Sequence, residues 1–257
     1  MSIVVDDYHK VYDRTVAVRG ISFTVEPGEI LGLVGPNGAG KTTTMRALAG
    51  ILSPTRGRLL IDGFDVARDP VAAKSRLAYV PDDPHLFDQL TVWEHLRFVA
   101  SAYRVGDWKA KAETLLGQFE LAPKRDALAS ELSRGMRQKV AICCGYLHDP
   151  KAIVLDEPLT GLDPRGIRTM QVSIRERARA GAAVMISSHL LSLVEDLCTS
   201  VLILHHGRVL LRGGMDDLRK GIHDGGREES LEDLFFRLTE HDSGAADRPA
   251  SNLVAEA

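Results

Sequence analysis

Gly35-Pro36-Asn37-Gly38-Ala39-Gly40-Lys41-Thr42 is the stretch whose reading decides the fold. It matches G-x-x-x-x-G-K-[ST], the pattern of a phosphate-binding loop. Glycines at these positions let backbone N–H groups curl inward around phosphate oxygens without Cβ clashes. The apolar run Ile30–Val34 just before it reads as a strand. After it, Met45, Leu48 and Leu52 recur at near-helical spacing, so a helix opens at Lys41 and points its positive end at the loop. The competing reading, a Gly-rich turn with a surface lysine, needs a chance match of roughly one in a hundred at average composition. In the phosphate-loop reading Lys41 reaches the β- and γ-phosphates and the Thr42 hydroxyl ligates Mg²⁺. Gly35, Asn37, Gly38, Ala39, Gly40 and Thr43 complete the expected phosphate contacts.

Further along, Ala152-Ile153-Val154-Leu155 ends in Asp156-Glu157-Pro158. A continuous apolar run is the mark of a strand buried on both faces, and ligands bind beyond the carboxyl ends of such strands. Two carboxylates at that edge suit a magnesium nucleotide: Asp156 to hold Mg²⁺, Glu157 to polarise an attacking water as general base. An acidic turn after a strand is the bland alternative, and the phosphate loop in the same chain weighs against it.

Composition is consistent with this. The chain has 257 residues, 44% hydrophobic and 26% charged, with a net charge of -3. A domain of this length can bury a large core, and the balanced charge argues against a nucleic-acid partner. Cys143, Cys144 and Cys198 form neither a disulfide framework nor a C-x-x-C pair, and read as reduced thiols of a cytosolic protein. No apolar stretch reaches the roughly 18 residues that cross a bilayer, and the first residues lack the features of a signal peptide. A membrane role is therefore expected to run through a partner.

Short strands are expected at Ile3–Val5, Val16–Val18 and Ile21–Val25, and again at Ala152–Leu155, Ala182–Ser187 and Val201–Leu204. Between about 84 and 150 the pattern is helical. Thr91 and Glu94 make a capping box ahead of Val92, Leu96, Val99 and Tyr103; Asp107 stands where it can cap a second helix; a third begins near Gly135. Helical stretches around Ile167–Ala180 and Leu190–Leu197 separate the later strands, and the alternation implies a mostly parallel sheet. His205-His206-Gly207 reads as a hairpin turn. Residues 221–229 read as a linker, Ser230 to about Glu240 as a short amphipathic helix, and the tail from Ser243 as disordered.

Four further motifs carry a family resemblance. Leu132-Ser133-Arg134-Gly135-Met136-Arg137-Gln138 resembles the signature segment of ABC ATPase subunits, usually L-S-G-G-Q. Thr160-Gly161-Leu162-Asp163 resembles the D-loop, Ser187-Ser188-His189 the switch histidine, and Tyr12 stands where this family places an adenine-stacking aromatic. The resemblance covers roughly residues 2–220. It implies an α/β fold: a P-loop NTPase core with a mostly parallel sheet, an N-terminal antiparallel β subdomain and an inserted helical subdomain. The ATPase domain is expected over 1–220, its helical subdomain over about 84–150, a linker and short C-terminal helix over 221–241, and a disordered tail over 242–257.

What the resemblance implies functionally has a physical basis. The signature opens a helix, whose free N–H groups and the Ser133 hydroxyl can bind an anion. In the family that anion is the γ-phosphate of ATP held by a second subunit. Ser133, Arg134, Gly135 and Met136 are thus expected to act in trans, in a homodimer sandwiching two nucleotides. His189 is expected to touch the γ-phosphate, and Asp163 the partner near its phosphate loop. Two departures stand out: the usual glycine is Arg134 and the usual glutamine Met136, as in export-type subunits, and the Q-loop glutamine after Tyr79-Val80-Pro81 is Asp82. The shorter, charged Asp82 puts direct metal contact from that loop in doubt.

The expected protein is an ATPase that energises export through a separately encoded transmembrane permease, held peripherally on the inner face of the cell membrane. Leu86, Phe87, Leu90 and Trp93 are candidate contacts for the permease. The alternatives are a soluble ABC ATPase in translation, repair or assembly, and a silent ATP-binding regulator. Translation relatives carry tandem domains and repair relatives long coiled coils, for which this chain has no room or sign. Glu157 and His189 argue against the silent form.

Overall fold

The structure is a computed structural model that describes residues 2–218 and 230–246. Two sheets organise it. The first is antiparallel, in the order β2-β1-β4-β5, from strands Ile3–Tyr12 (β1), Thr15–Val25 (β2), Arg56–Ile61 (β4) and Phe64–Asp65 (β5). The second has the order β10-β9-β3-β8-β7-β6. Its strands are Ile30–Val34 (β3), Leu77–Val80 (β6), Ala152–Asp156 (β7), Ala183–Ser187 (β8), Ser200–His205 (β9) and Arg208–Gly214 (β10). All neighbours there are parallel except β10, which returns antiparallel on β9.

The continuous apolar runs are sorted by the two-residue period of a strand. In β7, Ala152 and Val154 face the antiparallel sheet and helix α1 (Lys41–Leu48), in one core with Ile3, Val5, Phe23 and Met45. Ile153 and Leu155 face the opposite way, into a second core shared with α3 (Val92–Ala102), α4 (Trp108–Gln118), α5 (Arg134–Tyr146), α6 (Pro164–Arg179) and α7 (Leu191–Leu197). Burial on both faces is why β3, β7 and β8 show no polar alternation.

The strands at the start are longer than the apolar runs suggest. Asp6-Asp7 does not end β1; the chain absorbs it as a bulge, with Asp7 at φ 47°. The sequence reading contains no β4 or β5, which meet at Asp62-Gly63 with both residues at positive φ, the geometry of a two-residue hairpin. A short helix, α2, spans Pro70–Lys74.

The capping box forms as expected: Thr91 Oγ1 accepts from the Glu94 amide, and the Glu94 carboxylate accepts from the Thr91 amide. Asp107 does occupy the position before α4, but at φ 43° its side chain makes no capping hydrogen bond. His206 and Gly207 form the expected hairpin turn. The C-terminal helix runs Leu231–Ala246, beyond the end expected for it and into the stretch expected to be disordered. Ala245-Ala246 extends a helix already nucleated, and alanine is the strongest helix former. The linker over 221–229 and the tail after Ala246 lie outside the described residues.

Candidate functional site

Parallel strands bring their carboxyl ends to one edge, and β3, β8 and β7 are neighbours there. The phosphate loop leaves β3, His189 follows β8, and Glu157 follows β7, so three segments distant in sequence meet. Between β3 and α1 the loop lines a cavity of about 350 Å³ with Asn37, Gly38, Ala39, Gly40, Lys41, Thr42 and Thr43. Gly35 and Gly40 are dictated by close packing. A Cβ on Gly35 would sit 2.3 Å from the Leu204 carbonyl oxygen, and one on Gly40 2.9 Å from that of Ala17.

Lys41 Nζ donates to the Gly35 carbonyl at 2.6 Å and the Pro36 carbonyl at 3.2 Å, so the side chain folds back along its own loop. Burial lowers its pKa below the ordinary lysine value, and the carboxylates of Glu157 and Asp156 work in the opposite direction. The field that acts on Lys41 thus comes from the acidic pair at the end of β7.

Asp156 is buried at 3% exposure, and its register partner is Ser187. The Ser187 hydroxyl donates to Asp156 Oδ1 at 2.6 Å and accepts from the Glu157 amide at 2.9 Å. One serine thereby fixes both acidic residues. Glu157 adopts φ 50°, a conformation uncommon outside glycine, which turns the chain sharply at the strand end. Its Oε2 lies 2.9 Å from His189 Nδ1. The sequence marks Glu157 and His189 separately; the structure joins them. Ser187 is missed by the motif reading except as part of the histidine segment, and its register position beside Asp156 is the signal that finds it.

The aromatic and signature residues sit further out. Tyr12 ends β1, paired with Thr15 across a tight turn, is exposed, and has Lys10 Nζ 4.9 Å from its ring centre. It does not line the cavity, but its hairpin partner Thr15 and the next residue, Val16, do. Ser133 caps α5, its hydroxyl accepting from the Met136 amide at 3.3 Å. Gly135 follows at close quarters with Gly161, and Met136 packs against the second core. Asp163 caps α6 by accepting from the Gly166 amide at 3.0 Å. Asp82, just past β6, pairs with Arg134 at 2.8 Å.

A second concavity, about 410 Å³, lies beside α3 and is lined by Ile51, Leu86, Phe87, Phe98, Tyr103 and His148 among others. Its lip is held by His95, whose Nε2 accepts from the Phe87 amide at 2.9 Å. The ring must therefore carry its proton on Nδ1, which donates to the Thr91 carbonyl at 2.8 Å. Leu86 and Phe87 line this groove, whereas Leu90 and Trp93 do not. Trp93 is packed instead against Trp108, with the Arg125 guanidinium 3.6 Å over its ring.

A glycine cradle ahead of a helix, a lysine inside it and a buried aspartate at the end of β7, one strand removed from β3, define a P-loop nucleoside triphosphatase. Comparisons narrow the class. The family described as ABC transporter matches residues 18–160. EcsA, an ABC-type transporter ATP-binding protein of Bacillus subtilis (strain 168), is 37% identical over 235 residues, 91% of this chain and 94% of its own length. Nod factor export ATP-binding protein I of Burkholderia pseudomallei (strain 1710b) is 36% identical over 218 residues, 83% of this chain and 72% of its own. A solved ATP-binding subunit of an ABC transporter, 36% identical, superposes with a TM-score of 0.87 over 93% of this chain and 100% of its own. The chain belongs to the ABC transporter family, as an ATP-binding and ATP-hydrolysing subunit that energises transport.

Proposed function

We propose that this subunit hydrolyses ATP with Glu157 as general base, Lys41 and the loop amides on the phosphates, and His189 positioning the γ-phosphate and Glu157 together. The observation that carries this reading is the 2.9 Å contact between Glu157 Oε2 and His189 Nδ1 at the strand edge beside the cradle. A carboxylate held this way keeps its second oxygen for the attacking water. Subunits of this family use ATP, generally with Mg²⁺. The donor set fits that ion: Asp156 keeps one oxygen beyond its bond to Ser187, and Thr42 offers an exposed hydroxyl on the first turn of α1. Bound Mg²⁺ would neutralise phosphate charge; Asp156 and Thr42 are the residues to hold it. Tyr12 stacks on the adenine, with Thr15 and Val16 extending the platform.

In the working assembly two copies face each other, and Ser133, Arg134, Gly135 and Met136 of one complete the phosphate site of the other, with Asp163 at the junction. ATP favours closing because it binds the closed pair better than the open one. A separately encoded permease docks a short segment in the groove lined by Leu86 and Phe87, which places the subunit peripherally at the membrane's inner face. Among the described residues no helix is long and apolar enough to cross a membrane. Export is the proposed direction, supported by the signature Leu-Ser-Arg-Gly-Met-Arg-Gln and by the Nod factor export relative, 72% of whose length this chain matches. Over residues 1–220 the chain acts as the ATPase domain, with residues 84–150 as its helical subdomain.

Purification of the tagged full chain from native membranes in mild detergent tests the assembly. The expected result is a stoichiometric polytopic partner that is lost with Phe87→Asp. Recovery of the chain alone, or on ribosomes, would end the permease reading and leave the ATPase intact.

A further inference from the structure

The two departures from the family pattern touch each other. Arg134 Nη2 lies 2.8 Å from Asp82 Oδ1, across 52 residues of sequence. The stem of Arg134 lies over Gly161, where a built Cβ would meet Arg134 Cδ at 3.4 Å. Gly135 faces the same peptide, since a Cβ on it would stand 2.8 Å from the Gly161 carbonyl oxygen. Arg134 therefore joins three segments: the loop after β6, the turn after β7 and the start of α5. A glycine at 134 with glutamine at 82 could form no such ion pair.

We propose that Asp82 and Arg134 form a clasp, a positioning pair that holds the signature end of α5 in register on the loop after β6. In this reading Asp82 serves Arg134 and is not a metal ligand. The clasp makes the two segments move together, so a shift at the loop lip near Phe87 is carried to Ser133 through one ion pair as well as through the packed helices. Both side chains are about half exposed, 51% for Arg134 and 49% for Asp82. The clasp is thus weak, screened by salt, and suited to being made and broken.

Hydrogen exchange on the intact full-length chain reads this directly, with ATP turnover as a second measurement. Arg134→Gln should speed exchange in the distant segment 82–88, and Asp82→Asn in segment 133–137, each by about two- to fivefold as expected for an exposed ion pair. The double variant should exchange like either single one, and the charge swap Asp82→Arg with Arg134→Asp should return both segments toward the native rates. At about 1 M salt the differences should shrink, because the screening length falls to roughly 3 Å. Loosening confined to each variant's own segment, or effects that multiply in the double variant, would overturn the clasp. So would a raised Mg²⁺ requirement for turnover in Asp82→Asn that Arg134→Gln does not share.

Discussion

The cradle after β3 and the groove beside α3 are similar in volume, about 350 and 410 Å³, yet are built by opposite means. The cradle is mostly backbone: consecutive residues of one loop beside the start of β2, with glycines pressed against the carbonyls of Ala17 and Leu204. The groove is side chain: aromatic and histidine rings from segments that stretch from Ile51 to His148. A backbone site tolerates almost no change of residue but is spelled out contiguously. A side-chain site is spread through the sequence and owes its shape to packing.

If the chemistry resides on the cradle side, the largest effect should come from Glu157→Gln. Turnover should fall by about 10²–10⁴-fold, the range for losing a general base, with ATP binding retained. Single-turnover hydrolysis alongside nucleotide binding measures both, and unchanged turnover would remove Glu157 from the role. Lys41→Ala, by contrast, should abolish binding itself.

Gly35→Ala tests the backbone half of the comparison. The added Cβ meets a carbonyl at 2.3 Å and neither side is a flexible side chain, so strand β9 or the loop must shift. A cost of about 1–3 kcal/mol is expected from such overpacking, visible as a lower denaturation midpoint. On the groove side, Phe87→Ala should cost less, about 0.5–1.5 kcal/mol for the lost ring contacts. Phe87 stands 5.5 Å from Phe98 edge-on and 6.0 Å from His95, but is itself 57% exposed. Equal costs at the two positions would break the contrast.

The same contrast explains what could be read in advance. The phosphate loop, Asp156-Glu157 and the capping box at Thr91 were legible because each is a local pattern with a local cause. Tyr12, Ser133 and His189 were singled out only through resemblance. The Asp62-Gly63 hairpin carried a turn signal, yet Arg56–Ile61 is rich in arginine and lacks clean alternation, which hides its strand. The tie from Ser187 to Asp156 depends on which strands become neighbours, and so does the reach of Arg134 to Asp82; no periodicity encodes either. Trp93 shows the converse error: an aromatic next to a loop invites a docking role, whereas Arg125 and Trp108 already cover its ring.

The smallest effect should come from protons in the groove. His148 stacks on Tyr103 at 4.0 Å between ring centres, and burial lowers its pKa below the ordinary histidine value of 6.5. The nearby Leu77 backbone and the Asp149 charge oppose the shift, while Lys111 adds to it. The folded state therefore resists protonation that the unfolded chain accepts, and the unfolded state binds more protons as pH falls through 6.5. This site's contribution to stability is fully present above that pH and declines below it, down to the lowered value in the fold. The slope it adds is bounded by one proton, about 1.4 kcal/mol per pH unit. His148→Phe keeps a ring against Tyr103 and removes the titration, so unfolding free energy measured from pH 7 to pH 5 should fall less steeply in the variant. Parallel profiles would show that His148 titrates alike in both states, and that the groove, unlike the cradle, exerts no hold on charge.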